Sequence, residues 1–170
     1  SWAIGSVKRA YPSILFVAEV YNPMEYRHYV DAGFDYLYDK VGMYDTMRNV
    51  ICGNSPTSQI TTAWQWVDPI HDHMLYFLEN HDEQRIASDF FAGDAFRAYP
   101  AFVVNTLMRS NPFMVYAGQE YGERGMDAEG FSGKDGRTTI FDYWTVPSLY
   151  RAYVDNSLSE DEARLDALYT

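Results

Sequence analysis

Apolar residues in this chain follow two patterns. Four short runs are apolar at nearly every position: Ile14-Leu15-Phe16-Val17-Ala18, residues 34–38, Met74-Leu75-Tyr76-Phe77-Leu78 and residues 113–117. Each run is bounded by turn residues and is too short for a helix. The first reads as a strand buried on both faces, as in a parallel sheet. Between the runs the apolar positions recur at helical spacing. Residues 2–10 read as the end of a helix with Lys8 and Arg9 late, where cations suit the helix dipole. Tyr11-Pro12-Ser13 breaks it, and Pro23 opens a short helix through Val30 that stops at Gly33. Residues 41–51 and 57–67 read as helices separated by Gly53-Asn54-Ser55-Pro56. Residues 83–91 read as helical, with Gly93 following. A long helix is predicted over 95–110, interrupted at Pro100. Ser159 and Glu162 make a capping box for a last helix over 159–168.

Strands alternating with helices four times predict a parallel α/β architecture. In such folds the site lies at the carboxyl ends of the strands. There is no sequence repeat, low-complexity tract or clear linker, so Ser1–Thr170 is expected to form one structural unit. At 170 residues the chain can bury a substantial core. It is short for an eight-stranded barrel, which typically takes ~250 residues.

Charge narrows the partners. The chain carries 13 Lys and Arg against 24 Asp and Glu, a net −11. Phosphate backbones and anionic lipid both reward a basic surface, so neither nucleic acid nor membrane is expected as a partner. A neutral sugar is not penalised. No apolar run approaches the ~18 residues of a membrane span, and no basic segment leads into an apolar one at the start. The segment is therefore expected to be soluble and to carry no targeting signal, with its compartment left open. The single cysteine, Cys52, allows neither an internal disulfide nor a cysteine zinc cluster. Aromatic residues reach 17%. Their flat faces and polar handles suit a carbohydrate cleft, and suit a Tyr-rich core equally well.

Two constellations carry candidate chemistry. Glu19 closes Phe16-Val17-Ala18-Glu19-Val20. A carboxyl at an apolar strand end can be partly desolvated and serve as a general acid, or it can solvate the strand end. Asn80-His81-Asp82 follows the third run. Three polar groups there can grip hydroxyls and put a carboxylate near developing positive charge. Asn80 can instead cap a helix, with Glu83 three residues on. Glycoside hydrolysis needs a proton donor and carboxylates around a cationic sugar, which Glu19 and Asp82 can supply. His71-Asp72-His73 has the look of a metal pair, and a surface turn accounts for it better. Asp127-Ala128-Glu129-Gly130 lacks the spacing of a calcium loop, and Gly133-Lys134 lacks the rest of a P-loop. Met43 and Met47, at helical spacing, read as core.

Taken in order, these segments resemble the catalytic barrel of the α-amylase superfamily of glycoside hydrolases. Phe16-Val17-Ala18-Glu19-Val20 is similar to the family's fifth strand, whose Glu is the general acid/base. Phe77-Leu78-Glu79-Asn80-His81-Asp82 is similar to the seventh, where the Asp stabilises the transition state and the His contacts the sugar. Pro112-Phe113-Met114-Val115-Tyr116-Ala117-Gly118-Gln119-Glu120 resembles the eighth strand and its end, and Thr139-Ile140-Phe141-Asp142-Tyr143-Trp144 the stretch after it. The third-strand motif is absent, as is the fourth-strand motif with the nucleophilic Asp. The resemblance thus implies the C-terminal half of a (β/α)8 TIM barrel, strands five to eight with their helices. The implied function is retaining hydrolysis of α-glucosidic bonds in starch-like α-glucans or maltooligosaccharides by a parent enzyme. The 170 residues alone are expected to be inactive. Glu19 and Asp82 would be catalytic, and His81, Asn80 and Tyr21 would bind substrate. No cofactor is implied in this segment; the family's calcium ligands lie in the missing half. A non-catalytic sugar- or protein-binding relative, or a transglycosylase or isomerase of the superfamily, fits the same residues. Four strands would leave two open edges and an apolar inner face, so the segment is expected to self-associate.

Overall fold

The computed structural model describes residues 1–127, 134–140 and 144–170. These form two compact units, Ser1–Phe77 with Val104–Met114, and Leu78–Val103 with Val115–Thr170.

The first unit holds a parallel sheet. Its strands are β1 (Val17–Ala18), β2 (Tyr36–Tyr38), β3 (Met74–Phe77) and β4 (Phe113–Met114), in the order β1-β2-β3-β4. Each neighbour pair is parallel, with Ala18 opposite Leu37, Tyr38 opposite Leu75 and Phe77 opposite Met114. Parallel neighbours need crossovers. Helices α1 (Trp2–Ala10), α2 (Tyr26–Asp31), α3 (Asp45–Ile51) and α4 (Ser58–Trp66) precede the strands or lie between them. Helix α5 (Tyr99–Leu107) leads to β4. The α/β architecture predicted from the alternation of patterns is therefore present. Leu37, Met74 and Phe77 on the central strands are buried with Met43, Tyr44 and Met47, and the Tyr44 ring stacks on Phe77 at 5.0 Å. Lys8 reaches from α1 to Asp35 (2.6 Å), whose other oxygen accepts the Phe16 N–H (2.8 Å), tying α1 to the start of β1 and β2.

The second unit is built around α7 (Glu160–Tyr169) and the short α6 (Pro147–Tyr150). The capping box predicted at Ser159 and Glu162 is formed in both directions. Leu165 of α7 is buried, the Tyr169 ring lies 4.4 Å from Phe102, and its hydroxyl accepts from Gln119 Nε2 (2.9 Å). Gly118, at φ +94°, makes the left-handed step into the Gln119–Tyr121 turn; its absent Cβ also leaves room for Glu123 and Ser148.

Four expectations are corrected. The first run is not buried on both faces: Ile14, Leu15 and Val17 are exposed, and only the last two residues pair as strand. Among the described residues β1 is an edge strand that pairs with β2 alone, so its other edge has no strand beside it. The fourth run pairs only over Phe113–Met114, because Tyr116 N donates to Gln119 Oε1 and Gln119 N to Tyr116 O, bending the chain into a turn. Residues 83–91 contain no helix. Arg85 N donates to Gly136 O (2.6 Å) and Ile86 N to Glu79 Oε1 (2.7 Å), so these amides have partners outside any helical ladder. The long helix over 95–110 is a 3-10 turn, Ala95–Ala98, followed by α5, which places Pro100 in the first helical turn where no N–H is needed. Residues 141–143 of the Thr139–Trp144 stretch, and 128–133 of the glycine-rich loop, lie outside the described residues. That loop segment includes Ala128, Glu129, Gly130 and Gly133. Among the described residues no helix is long and apolar enough to cross a membrane.

Candidate active site

Glu19 is the first residue past β1. Ala18 and Val20 on either side of it are buried, so the period-two alternation of an extended chain turns the Glu19 side chain out. The desolvation expected at an apolar strand end is thus not supplied by its neighbours, and Glu19 is exposed. Its Oε1 accepts a hydrogen bond from the half-exposed Tyr21 hydroxyl. Directly beyond, Asn22 Oδ1 accepts from Met24 N (3.2 Å), which starts the Pro23–Glu25 turn and fixes where the chain leaves the strand.

Asn80, His81 and Asp82 belong to the second unit. Asn80 is buried, and its Oδ1 accepts from the backbone N–H of both Asp82 and Glu83, each at 2.9 Å. The bonds are those of the predicted cap, but they close an isolated Asx turn with no helix behind it. The Asn80 amide nitrogen is buried with no acceptor among the described residues. His81 and Asp82 are partly exposed, and His81 Nε2 lies 3.5 Å from Asp82 Oδ2. Local structure therefore brings Tyr21 to Glu19, Asn80 to the backbone of Asp82 and Glu83, and His81 to Asp82.

Sequence reasoning missed the buried groups that flank the Asn80–Asp82 turn. Glu79 and Arg85 are each about 1% exposed and pair at 2.7 Å. Burial pushes the Glu79 carboxyl up, while the Arg85 guanidinium and the Ile86 N–H act in the opposite direction. Arg85 also donates to Thr138 Oγ1 (2.7 Å) and Ala117 O (2.8 Å), and its guanidinium lies 4.1 Å from the centre of the Tyr116 ring. Residues six apart do not touch along a strand or on neighbouring turns of a helix, so no local signal linked the pair. Asp39, just past β2, is likewise buried, and burial pushes it up to about 6. It carries the same strand-end signature as Glu19, in Tyr36-Leu37-Tyr38-Asp39.

Other candidates resolve into structure. His71 Nδ1 donates to Asp68 O (2.8 Å) and His73 Nδ1 to Asp35 O (2.9 Å), so the two imidazoles are engaged separately in a turn. Met43 and Met47 are buried core. A cavity of about 630 Å3 in the second unit is lined by Asp94, Asp127 and Asp161, but also by Arg124, Arg151 and Arg164. Asp94 already caps the Phe96 N–H (2.9 Å). This mixed-charge lining does not suit a calcium ion, which needs a cage of oxygen donors.

Sequence comparison finds no matching family model and no matching relative among curated proteins. Two solved structures share the fold. One is a noncanonic maltogenic alpha-amylase, AmyB, of Thermotoga neapolitana, with TM-score 0.57 and 21% identity over 98% of this chain and 33% of that one. The other is an alpha-amylase of Lactobacillus plantarum, with TM-score 0.52 and 18% identity over 97% of this chain and 39% of that one. The likeness runs through nearly the whole chain, which spans between a third and two fifths of those enzymes' length.

Proposed function

We propose that this chain is the C-terminal half of the catalytic barrel of an α-amylase-type glycoside hydrolase, with β1 to β4 as strands five to eight. The parent enzyme hydrolyses α-glucosidic bonds of starch-like glucans or maltooligosaccharides with retention. One observation carries the reading: strand-end motifs in the family's order lie on a four-stranded parallel sheet, in a chain whose fold matches two amylase structures over 97% or more of its length.

In this mechanism Glu19 donates its proton to the glycosidic oxygen as the bond to the anomeric carbon breaks. A carboxylate outside these 170 residues attacks that carbon and forms the glycosyl-enzyme. Glu19 then takes a proton from water, whose oxygen displaces the enzyme carboxylate. Retaining enzymes hold acid and nucleophile ~5–5.5 Å apart, so both halves must build one site. Tyr21, bonded to Glu19 Oε1, orients the acid and lines the cleft. Asp82 stabilises the positive charge developing on the sugar ring and His81 binds its hydroxyls, while the buried Asn80 holds the backbone of Asp82 and Glu83 beneath them.

The test is reducing-sugar release from starch and maltooligosaccharides. The 170-residue chain alone is expected to give none. A longer polypeptide containing it is expected to be active and to lose most of its kcat with Glu19→Gln. Turnover by the 170-residue chain that Glu19→Gln abolishes would overturn the divided machinery. Unchanged kcat of the longer Glu19→Gln variant would overturn the role of Glu19.

A further inference from the structure

We infer that Glu79 and Arg85 are positioning residues that hold the His81–Asp82 turn in one conformation. The inference rests on the reading of His81 and Asp82 as sugar-contacting groups. Both ends of the segment 79–86 close on a single carboxylate. Glu79 Oε1 accepts the Ile86 N–H and Glu79 Oε2 accepts from Arg85 Nη1, each at 2.7 Å. Between these ends the Asn80 side chain fixes the backbone at Asp82 and Glu83. The partly exposed residues His81 and Asp82 thus project from a loop whose base is a buried ion pair.

Arg85 carries the restraint outward. Its donors reach Ala117 O, just before the Gly118 turn, and Thr138 Oγ1, while its backbone N–H reaches Gly136 O. Two stretches distant in sequence, at Ala117 and at Thr138, are joined to the loop at one guanidinium. A planar fork of donors can do this where a point charge cannot. Replacing a buried pair by apolar groups of similar volume is often tolerated, whereas removing one partner leaves a buried charge unpaired. Fold stability and loop order can therefore be separated by experiment.

The informative variant is Glu79→Met with Arg85→Met, which removes both charges together. It is compared with the wild-type 170-residue chain by thermal unfolding, by 15N relaxation over residues 80–84 and by maltotriose titration followed at His81 and Asp82. Cooperative unfolding is expected to persist. Order parameters at 80–84 are expected to fall from about 0.85 to below about 0.6. Maltotriose affinity is expected to fall about tenfold, as when the competent loop conformation becomes a minor one. Unchanged order parameters in the folded double variant would overturn the positioning role. If the double variant does not fold, Thr138→Val decides: it removes one anchor of Arg85 without stranding a charge. An intermediate loss of order at 80–84 supports the inference, and unchanged order overturns it. Absence of any maltotriose shift in the wild-type chain counts against the sugar-binding reading alone, because the relaxation comparison does not depend on it.

Discussion

Asp39→Asn should make this protein more stable as pH rises, relative to the wild type. Asp39 follows β2 and is 1% exposed. Burial lifts its carboxyl from 3.8 to about 6, against the backbone N–H groups of Met43 and Gly42 and the Tyr26 hydroxyl, which favour the charged form. Asp45 of α3 adds to the rise. Tyr76 of β3 faces the same site and is itself pushed up to about 12 by burial and by Asp39, with Arg109 opposing. The backbone approaches closely here: a Cβ on Gly42 would lie 2.3 Å from Asp39 Oδ1.

A carboxyl raised on folding binds its proton more tightly in the native state. Below the unfolded value of 3.8 both states hold the proton and folding gains nothing or loses nothing from it. Between 3.8 and about 6 the unfolded chain ionises first, and native stability falls. Above about 6 the loss is complete. The rise from 3.8 to about 6 corresponds to about 3 kcal/mol. Asparagine cannot ionise, so it removes this pH dependence, leaving only a constant offset from its altered hydrogen bonding. The assay is urea unfolding followed by circular dichroism for both proteins at intervals from about pH 4 to about pH 7.5. The difference in stability, variant minus wild type, should climb by about 3 kcal/mol across the window and then level off. Contributions from acids remote from Asp39 are common to both chains and cancel in the difference. A flat difference curve, or one that falls with pH, would refute the reasoning.

Leu37→Ala removes a fully buried side chain from β2 and should destabilise the protein by about 3–5 kcal/mol in the same urea assay, as measured for Leu→Ala at well-packed sites. The open side of β1, with Leu15 and Val17 exposed, should drive self-association, read by light scattering at high concentration. Val17→Lys should shift the population toward monomer, because a charge on an edge strand opposes edge-to-edge pairing. A wild-type chain that stays monomeric contradicts that expectation.

Features set by short stretches of chain were legible in the sequence. The four apolar runs, the helix over Trp2–Ala10 and the capping box at Ser159 and Glu162 each depend on neighbours a few residues away, and each is present. Strand alternation with helices likewise announced the parallel sheet. Glu19 and Asn80-His81-Asp82 stood out because polar residues abruptly ended apolar runs.

Tertiary structure decided what pattern could not carry. Ile14 to Val17 read as buried, yet the edge position of β1 leaves much of that run exposed, since burial of a strand depends on what pairs and packs beside it. Residues 83–91 had helical spacing, but a buried carboxylate at Glu79 and the Gly136 carbonyl captured the amides that a helix would have used. The Glu79–Arg85 pair, with its reach to Ala117 and Thr138, joins residues up to 53 positions apart. Local spacing carries no record of such a contact. It forms because a buried charge must find its partner wherever the fold brings one.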